Sequence, residues 1–475
     1  MRIARSAFSA RLMPTIIGVI MHVLKQGLFA ICTTLIAAQI STADTLNDIY
    51  ESALLNDPVL RAARASFNAE RETKNIARGA LLPQLAISGD YTESEINDNP
   101  TSVSTGLIDT NTTTYGVSLS QAFFDMPSWY SFKSGKALSD SAQAQFSADQ
   151  QSLIIRVSEA YFNVLRAYDN LQTRSAEQRA IQRQLEQTRE RFEVGLLPVT
   201  DVHEAQAVFD DAAVNSLEAR GALNIAFEGL QVLTGRDHEA LAGLTDTFMA
   251  TNPEPLSNQE WVDFAIGNNF QLKVAELGKD AAYNSAKAAA AARLPKITGR
   301  ASYYETDADS IIYTDGISSA GPIETQQDGH SFVVSVTMPI WMGGSVDAKR
   351  RQAKQRSIAS KEGYTATKRN VIQASRSLHQ LVLTNTARVK ARKQSITSAD
   401  SALQATQAGY EVGTRNIVDV LVAQRSVYQA RRSYANARYD YILSMMRLKE
   451  VAGQLAPDDI YQLNGWLDPQ LVIAK

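Results

Sequence analysis

The sequence is poor in cysteine, proline and net charge, and each shortage excludes a class of protein. Among 475 residues there are one cysteine, Cys32, and 13 prolines. One cysteine cannot close a disulfide within the chain or build a cysteine metal site, and so few prolines leave room for long uninterrupted helices. The formal net charge of -3 at pH 7 supplies no excess of basic residues, so we expect no nucleic-acid partner.

Long apolar runs are missing beyond the N-terminus. After residue 43 no run approaches the ~20 residues that a membrane-spanning helix needs. Before that point, basic residues precede the apolar run Gly27–Ile40, and small residues follow at Ser41–Ala43. The pattern predicts an export signal peptide over residues 1–43, with Met21 as an alternative start and an uncleaved anchor as the alternative reading. Cleavage removes Cys32 and leaves a mature chain without a thiol.

No arrangement of residues predicts catalysis or metal binding. The segment Ser134–Lys136 lacks the preceding glycines of a phosphate-binding loop. Beyond residue 43, four histidines are scattered without the spacing of metal ligands: His203, His238, His330 and His379. We therefore expect no catalytic residue, no metal site and no cofactor, and a protein that is not an enzyme.

An internal repeat organises the chain. Glu193–Gln206 matches Glu411–Gln424, with Glu, Val, Gly, Asp, Val, Ala and Gln at equal relative positions. Leu82–Leu85 and Leu294–Ile297 form another matching pair. Such self-similarity predicts tandem copies of one supersecondary unit. The predicted boundaries are repeat 1 at 44–256, repeat 2 at 257–455 and a C-terminal tail at 456–475.

Each repeat begins with a helical stretch followed by two strands. Pro83 and Pro295 end the helical stretches, Thr45–Leu82 and Trp261–Leu294. Apolar and polar residues then alternate with the period of half-buried strands in Leu85–Thr92, Tyr115–Ser120, Ile297–Tyr303 and Phe332–Met338. Polar residues fill the segments between the strands of each pair, which predicts hairpin loops at Glu93–Asn111 and Thr306–His330.

Two long helices complete each repeat. Ser128–Val194 and Ser345–Val412 contain no proline and keep helical spacing of apolar residues, which predicts helices of about 100 Å. Gly195 and Gly413 follow them, where a left-handed residue is favoured, so these glycines mark hairpin tips. Shorter helices return from the tips at Val202–Thr234 and Val420–Ala452.

These parts do not make a complete molecule by themselves. A helix of ~100 Å extends beyond any single globular core, so it needs neighbouring helices to cover its apolar stripe. If the strands face lipid, their sheet must close because an open edge in hydrocarbon is not tolerated. Four strands are fewer than the 8 or so of single-chain barrels, so closure requires several chains. The alternative is a non-membrane periplasmic coiled-coil scaffold whose strands pack as a small soluble sheet.

Particular segments carry a resemblance to a known family. Tyr410–Leu421, its counterpart ending in Thr200–Val202, Ala160–Leu165 and Tyr434–Tyr441 resemble the TolC family of outer-membrane factors over Asp44–Leu455. The resemblance implies a mixed fold, a transmembrane β-barrel plus a long α-helical barrel. It implies a homotrimer with twelve strands and twelve tunnel helices in the outer membrane, in contact with its lipid and extending into the periplasm.

The resemblance also implies a function. The chain would be the passive exit duct of a tripartite efflux or type I secretion system. A periplasmic adaptor (membrane fusion) protein would join it to an inner-membrane transporter that supplies energy and selects the substrate. Drug efflux and protein secretion use similar ducts, and both remain open for this chain.

In this family the duct is closed at its periplasmic tip by polar links between helices. Carried over to this sequence, Arg415 would link to Thr200 and Asp201, and Tyr410 would also reach Asp201. A guanidinium suits this role because it donates several hydrogen bonds in one plane. The alternative is that Asp201 and Asp419 only cap the returning helices at their N-termini.

The resemblance implies further gate residues, with two departures from the family pattern. Asp419 would form an acidic ring at the constriction, which favours cations. A second aspartate often follows one turn later, but this chain has Val422 there. Gln184 would bond Gln407, where the family often has an acidic residue. Val422 predicts a weaker acidic constriction, and the neutral Gln184–Gln407 bond predicts a less firmly held gate.

Overall fold

The computed structural model describes residues 43–98, 106–314, 317–318 and 323–475. The predicted signal peptide lies outside the described residues, apart from its last position, Ala43. The helices are α1 Leu46–Asn56, α2 Pro58–Arg71, α3 Thr73–Gly79, α4 Met126–Glu193, α5 Val199–Thr234, α6 Asn258–Asn268, α7 Phe270–Ala291, α8 Ser345–Glu411, α9 Ile417–Val451 and α10 Pro457–Asn464. The strands are β1 Gln84–Asp98, β2 Gly106–Phe124, β3 Ala240–Leu244, β4 Lys296–Thr314, β5 Ile317–Ser318, β6 Ile323–Thr337 and β7 Leu467–Ala474.

Two very long helical hairpins dominate the structure. Helices α4 and α5 form one hairpin, named the outer hairpin after its expected place in an assembled duct, and have 68 and 36 residues. The matching helices of the inner hairpin, α8 and α9, have 67 and 35. All four agree with the predicted helices to within a few residues. Asp125 is the N-cap of α4, and its side chain accepts a hydrogen bond from the Ser128 amide at 3.0 Å. At 1.5 Å per residue, α4 and α8 are each about 100 Å long.

One antiparallel sheet stands at the far end of the hairpins. Its four main strands run in the order β1-β2-β4-β6, and β5 pairs with the end of β4. The register places Ile87 opposite Val117 and Ala301 opposite Phe332. The predicted strands are therefore present in the predicted pairs, and β1 and β6 form the two edges.

The predicted hairpin loops are too long. Glu93 and Asn111 are opposite each other within β1 and β2, and the polar part of β4 pairs with β2 and β6. The hydroxyl oxygens of Thr114 and Thr306 lie 3.2 Å apart across the β2–β4 pair. Backbone ladder bonds and hydroxyl contacts of this kind need no apolar residue, so polar composition alone does not mark a loop. The middle parts of both predicted loops lie outside the described residues.

The two predicted helical stretches are divided by capping residues. Asp57 lies between α1 and α2 and accepts a hydrogen bond from the Leu60 amide at 2.9 Å, with Pro58 as the first residue of α2. Asn269 does the same between α6 and α7, where its side chain accepts from the Leu272 amide at 2.8 Å. A side chain that satisfies a free amide starts a new helix, and each stretch therefore bends.

The structure adds a second, smaller sheet that the sequence analysis does not predict. Strand β3 pairs with β7 near the C-terminus, and Asp44 joins β3 through bonds from its amide to Ala240 O and from the Ala242 amide to Asp44 O. The segment predicted as a tail is therefore the helix α10 and the strand β7. These elements and α1 cover the middle of the long helices, over a core whose largest fully buried side chains include Tyr161, Phe162, Trp261 and Tyr439.

Asp57 also ties the first helices to α4. Both its carboxylate oxygens accept hydrogen bonds from Arg156, at 2.6 and 3.2 Å. Burial opposes ionisation of Asp57, but the bonds from Arg156 and Leu60 outweigh it, so its pKa is lowered from the ordinary value. Because the folded pKa is depressed, ionised Asp57 stabilises the fold above the unfolded pKa, and this stability is lost as the pH falls through the folded pKa.

We expect Asp57→Asn to lower the free energy of unfolding by about 2 kcal/mol at pH 7, because the cap acceptor survives and the charged bonds to Arg156 do not. Urea unfolding of the detergent-solubilised protein, followed by circular dichroism from pH 7 to pH 3, checks this. The difference in unfolding free energy between parent and variant should become smaller below pH 4. A difference that stays constant with pH would contradict the assignment of a depressed pKa to Asp57.

Candidate gate at the tips of the helical hairpins

Each hairpin turns at a glycine with a left-handed backbone. Gly195 has φ 76° and Gly413 has φ 77°. Both positions are open, since a Cβ added at either residue would meet no heavy atom within 4 Å. Backbone bonds from Gly413 N to Tyr410 O and from Thr414 N to Gly409 O close the second turn. The predicted tip residues are therefore at the tips, because the left-handed position favours glycine.

The two aspartates near the tips differ in their local role. Asp419 forms a capping box with Asn416: the Asn416 side chain accepts from the Asp419 amide at 2.8 Å, and the Asp419 carboxylate accepts from the Asn416 amide. In α5 the N-cap is Pro198, without a side-chain cap bond. Asp201 lies in the first turn and is 3.4 Å from the hydroxyl of Thr200. Asp419 therefore takes part in capping its helix, whereas the Asp201 carboxylate makes no capping bond and can accept a hydrogen bond from another residue.

The predicted gate residues have other partners within the single chain. The Arg415 guanidinium lies 3.7 Å from the carboxylate of Asp419 on its own hairpin. The Tyr410 ring lies 5.1 Å from the guanidinium of Arg191, and its buried hydroxyl has no hydrogen-bond partner within the described residues. Links from Arg415 and Tyr410 to Asp201 therefore stay predictions for the assembled duct.

The remaining predicted residues lie on the same tip segments. Gln184 and Gln407 are both half-buried, and no bond between their side chains is present in the ranges that the structure describes. Val422 is exposed one turn beyond Asp419. A small cluster beneath the tips holds the two hairpins together, and its buried members are Ile181, Leu185, Ala205, Ala212, Ile417 and Leu421.

Ion pairs between the hairpins are absent from the sequence predictions. Arg432 on α9 bonds Glu177 on α4 at 2.7 Å, and Arg425 on α9 lies 3.1 Å from Asp211 on α5. Pairs between residues more than 200 positions apart leave no signal in a single sequence. Both pairs cross from one repeat to the other, so they bear on how the hairpins move relative to each other.

The sheet carries many exposed apolar side chains, among them Leu85, Ile87, Tyr91, Phe332 and Val336. In the described part of the chain, no helix is both long and apolar enough to cross a membrane. The sheet stands on helical hairpins of about 100 Å, and polar residues lie at the far tips. Together these features define the class of outer-membrane exit ducts.

Comparison with known proteins supports this class. The model of the family described as outer membrane efflux protein matches residues 49–236 and 261–454. The chain is 34% identical over 427 residues to the outer membrane protein TolC of Vibrio cholerae, covering 90% of this chain and 94% of the relative. It is 27% identical to the alkaline protease secretion protein AprF of Pseudomonas aeruginosa, covering 95% and 90%.

Solved structures share the fold. The outer membrane protein VceC of Vibrio cholerae superposes with a TM-score of 0.70 at 20% identity, covering 86% of this chain and 96% of that one. The CmeC outer membrane channel of Campylobacter jejuni gives a TM-score of 0.70 at 18% identity, covering 89% and 90%. The chain belongs to the outer membrane efflux protein family, which confirms the resemblance seen in the sequence. It is an outer-membrane duct for efflux or secretion that extends into the periplasm.

Proposed function

We propose that three copies of the chain close head to tail into a twelve-stranded barrel above a twelve-helix tunnel. The observation that carries this proposal is the sheet order β1-β2-β4-β6, which leaves β1 and β6 as edges in the described chain. An open edge is not tolerated in lipid, and edge β6 of one copy can pair with edge β1 of the next. A rotation that closes such a contact gives a ring, and the number three rests on the family resemblance.

The internal repeat supports the same closure for the helices. Within one chain, α4 packs on α7 through bonds from the Ser134 hydroxyl to Ala281 O at 2.9 Å and from Ser141 to Val274 O at 3.4 Å. The corresponding face of α8 carries Ala359 among small or polar residues that are exposed in the single chain. In the ring this face would pack on α2 and α3 of the next copy, completing the wall.

The side chains at the tips suit a duct whose opening is regulated by protein partners. Apolar side chains remain exposed there, at Val194, Leu196 and Val412, and such side chains at a tip favour contact with another protein. The partners would be a periplasmic adaptor and an inner-membrane transporter. The family named for efflux and the relative named for protease secretion support either a tripartite efflux system or a type I secretion system, with the chain as the passive duct.

The gate in this proposal is formed at the tips. Arg415 would exchange its contact with Asp419 for Thr200 and Asp201, Tyr410 would bond Asp201, and Gln184 would bond Gln407. Asp419 would line the constriction as an acidic ring, with Val422 beside it. Opening would swing the inner hairpin, α8 and α9, away from the axis, which is a two-state change that an adaptor could bias.

The test is single-channel conductance of the mature chain in planar bilayers. We expect a small, cation-preferring current, and a severalfold larger one for Arg415→Ser because a closing link is lost. Arg431→Ser is the control, since Arg431 lies on α9 and pairs with Asp400 of the same hairpin.

Three other results would each change the proposal. If the Arg415→Ser current equals that of the parent, the protein is still a duct but Arg415 does not close it. Asp419 is then the next candidate for the gate. If Arg431→Ser raises the current by the same factor, the effect of Arg415→Ser comes from a general loss of positive charge and not from a lost closing link. Failure of a folded oligomer to insert would favour the periplasmic scaffold.

A further inference from the structure

A series of ion pairs fastens the inner hairpin to the outer one along the length of α9. Each pair joins a residue of α9 to a residue of α4 or α5, in the other repeat. From the tip upward, the α9 residues with their partners are Arg425 with Asp211 at 3.1 Å, Arg432 with Glu177 at 2.7 Å, Asp440 with Arg166 at 2.8 Å and Arg447 with Glu159 at 2.5 Å. The α9 members recur every seven or eight residues, which is about two helical turns, so they lie on one face.

The two pairs nearest the tip differ sharply in burial. The Arg432 and Glu177 side chains are only 10% and 6% exposed, and Arg432 is also bonded to Gln429 at 2.9 Å. The Arg425 and Asp211 side chains are 43% and 63% exposed. A buried pair is costly to separate because each charge is left without water. An exposed pair separates easily, so the Arg432–Glu177 pair is fixed and the Arg425–Asp211 pair can open.

The position of the exposed pair fits a moving joint. Arg425 lies eight residues into α9, about 12 Å from its start, and Asp211 lies on α5 of the outer hairpin. Above it is the fixed pair, and below it are the tip turns. A groove of about 650 Å³ separates the hairpins here, lined by residues that include both pairs. An outward swing of the tips would widen this groove and pull Arg425 away from Asp211.

We propose that the Arg425–Asp211 ion pair is an additional lock of the gate, which holds the inner hairpin to the outer hairpin of the same chain. The proposal rests on the gated duct proposed above. Gln407 predicts a weaker closing link than the family pattern, and the Arg425–Asp211 pair supplies an attraction between the two hairpins. The Arg432–Glu177 pair is then the point about which the lower part of α9 moves.

The strength of this lock depends on assembly and salt. One exposed ion pair is weak. If all copies in the duct open together, however, the contributions of their Arg425–Asp211 pairs add. Losing all of these pairs should therefore raise the open-to-closed ratio on the order of tenfold. Charges at the surface are screened over ~3 Å in 1 M salt but over ~10 Å in 0.1 M salt. The lock should therefore hold in dilute salt and fail in concentrated salt.

The experiment measures the open-to-closed ratio of single channels in 0.1 M and 1 M KCl. Arg425→Gln and Asp211→Asn are each expected to raise the ratio about tenfold in 0.1 M salt and to match the parent in 1 M. The charge exchange, Arg425→Asp with Asp211→Arg, should return the ratio towards the parent value. Arg431→Gln is the matched control, because the Arg431–Asp400 pair is as exposed, at 51% and 38%, and lies within the inner hairpin.

Arg415→Ser, measured in the same bilayers, separates the two proposals. If Arg415→Ser opens the channel and Arg425→Gln behaves like Arg431→Gln, the lock is overturned and the gate stands. If both variants match the parent, the lock and the closing link of Arg415 are overturned together. An effect of Arg425→Gln that persists in 1 M salt, or a charge exchange that stays as open as the single variants, would also overturn the ionic lock.

Discussion

Gly453→Ala is expected to lower the free energy of unfolding by about 4 kcal/mol or more, whereas Gly413→Ala should cost about 1–2 kcal/mol. Both glycines have a left-handed backbone, with φ 69° and 77°. A Cβ at Gly413 would meet no heavy atom within 4 Å, but one at Gly453 would collide with the backbone carbonyl of Asn268. The left-handed conformation penalises both variants, and the collision penalises only Gly453→Ala.

The backbone near Gly453 cannot easily move aside. Asn268 ends α6, and the side-chain amide of the next residue, Asn269, donates to Val451 O at 3.0 Å. The end of α9 is therefore bonded to the same junction with which the new Cβ would collide. Relief of the collision would require breaking that contact or shifting α6, which packs against α8.

Thermal unfolding in detergent, followed by circular dichroism, measures both variants. Gly235→Ala is a second control, since Gly235 is the repeat counterpart of Gly453, has φ 72° and has its nearest atom, Asn56 Cβ, at 3.8 Å. If Gly453→Ala fails to fold, the yields of the three variants give the ranking instead. Equal losses for Gly453→Ala and Gly235→Ala would contradict the steric argument.

Arg432→Met is expected to cost about 3 kcal/mol of unfolding free energy, because it leaves the Glu177 carboxylate buried without its main partner. Arg174 also lies 3.4 Å from Glu177, which places the cost at the lower end for a broken buried pair. The double variant, Arg432→Met with Glu177→Leu, should recover most of the loss, since two apolar side chains can fill the space of a buried ion pair.

A double-mutant cycle by urea unfolding measures this coupling. Arg431→Met is the control, because its side chain is exposed on the same turn of α9 and substitutions at such sites usually change stability by less than about 0.5 kcal/mol. Additive losses for Arg432→Met and Glu177→Leu would show that the pair does not couple the two repeats. That result would also remove the fixed point about which the lower part of α9 is proposed to move.

Local sequence patterns are sufficient to predict the long helices and the hairpin tips. The helices α4 and α8 follow from long stretches without proline, and Gly195 and Gly413 end them because the turn needs a left-handed residue. The capping role considered for Asp419 is confirmed, because its partner Asn416 is three residues away. Each of these features depends on residues within a few turns of one another, so a sequence contains all that is needed.

Other features depend on contacts between distant residues. The polar parts of β1 and β4 resemble loops in the sequence, because hydroxyl-rich strands lose the apolar signal while their backbone still pairs. Nothing local indicates the bond between Asp57 and Arg156, since Arg156 lies on another helix 99 residues away. The predicted C-terminal tail is instead α10 and β7, because β7 pairs with β3 more than 200 residues earlier.

The sequence by itself determined the long hairpins and their glycine tips, because helical periodicity and turn residues act over short distances. The tertiary structure alone decided which charges face each other across the hairpins and where they are buried. Arg425 and Arg432 look alike in the sequence, seven residues apart on one helix. Packing leaves one in water beside Asp211 and encloses the other with Glu177, and desolvation makes the second pair hard to separate.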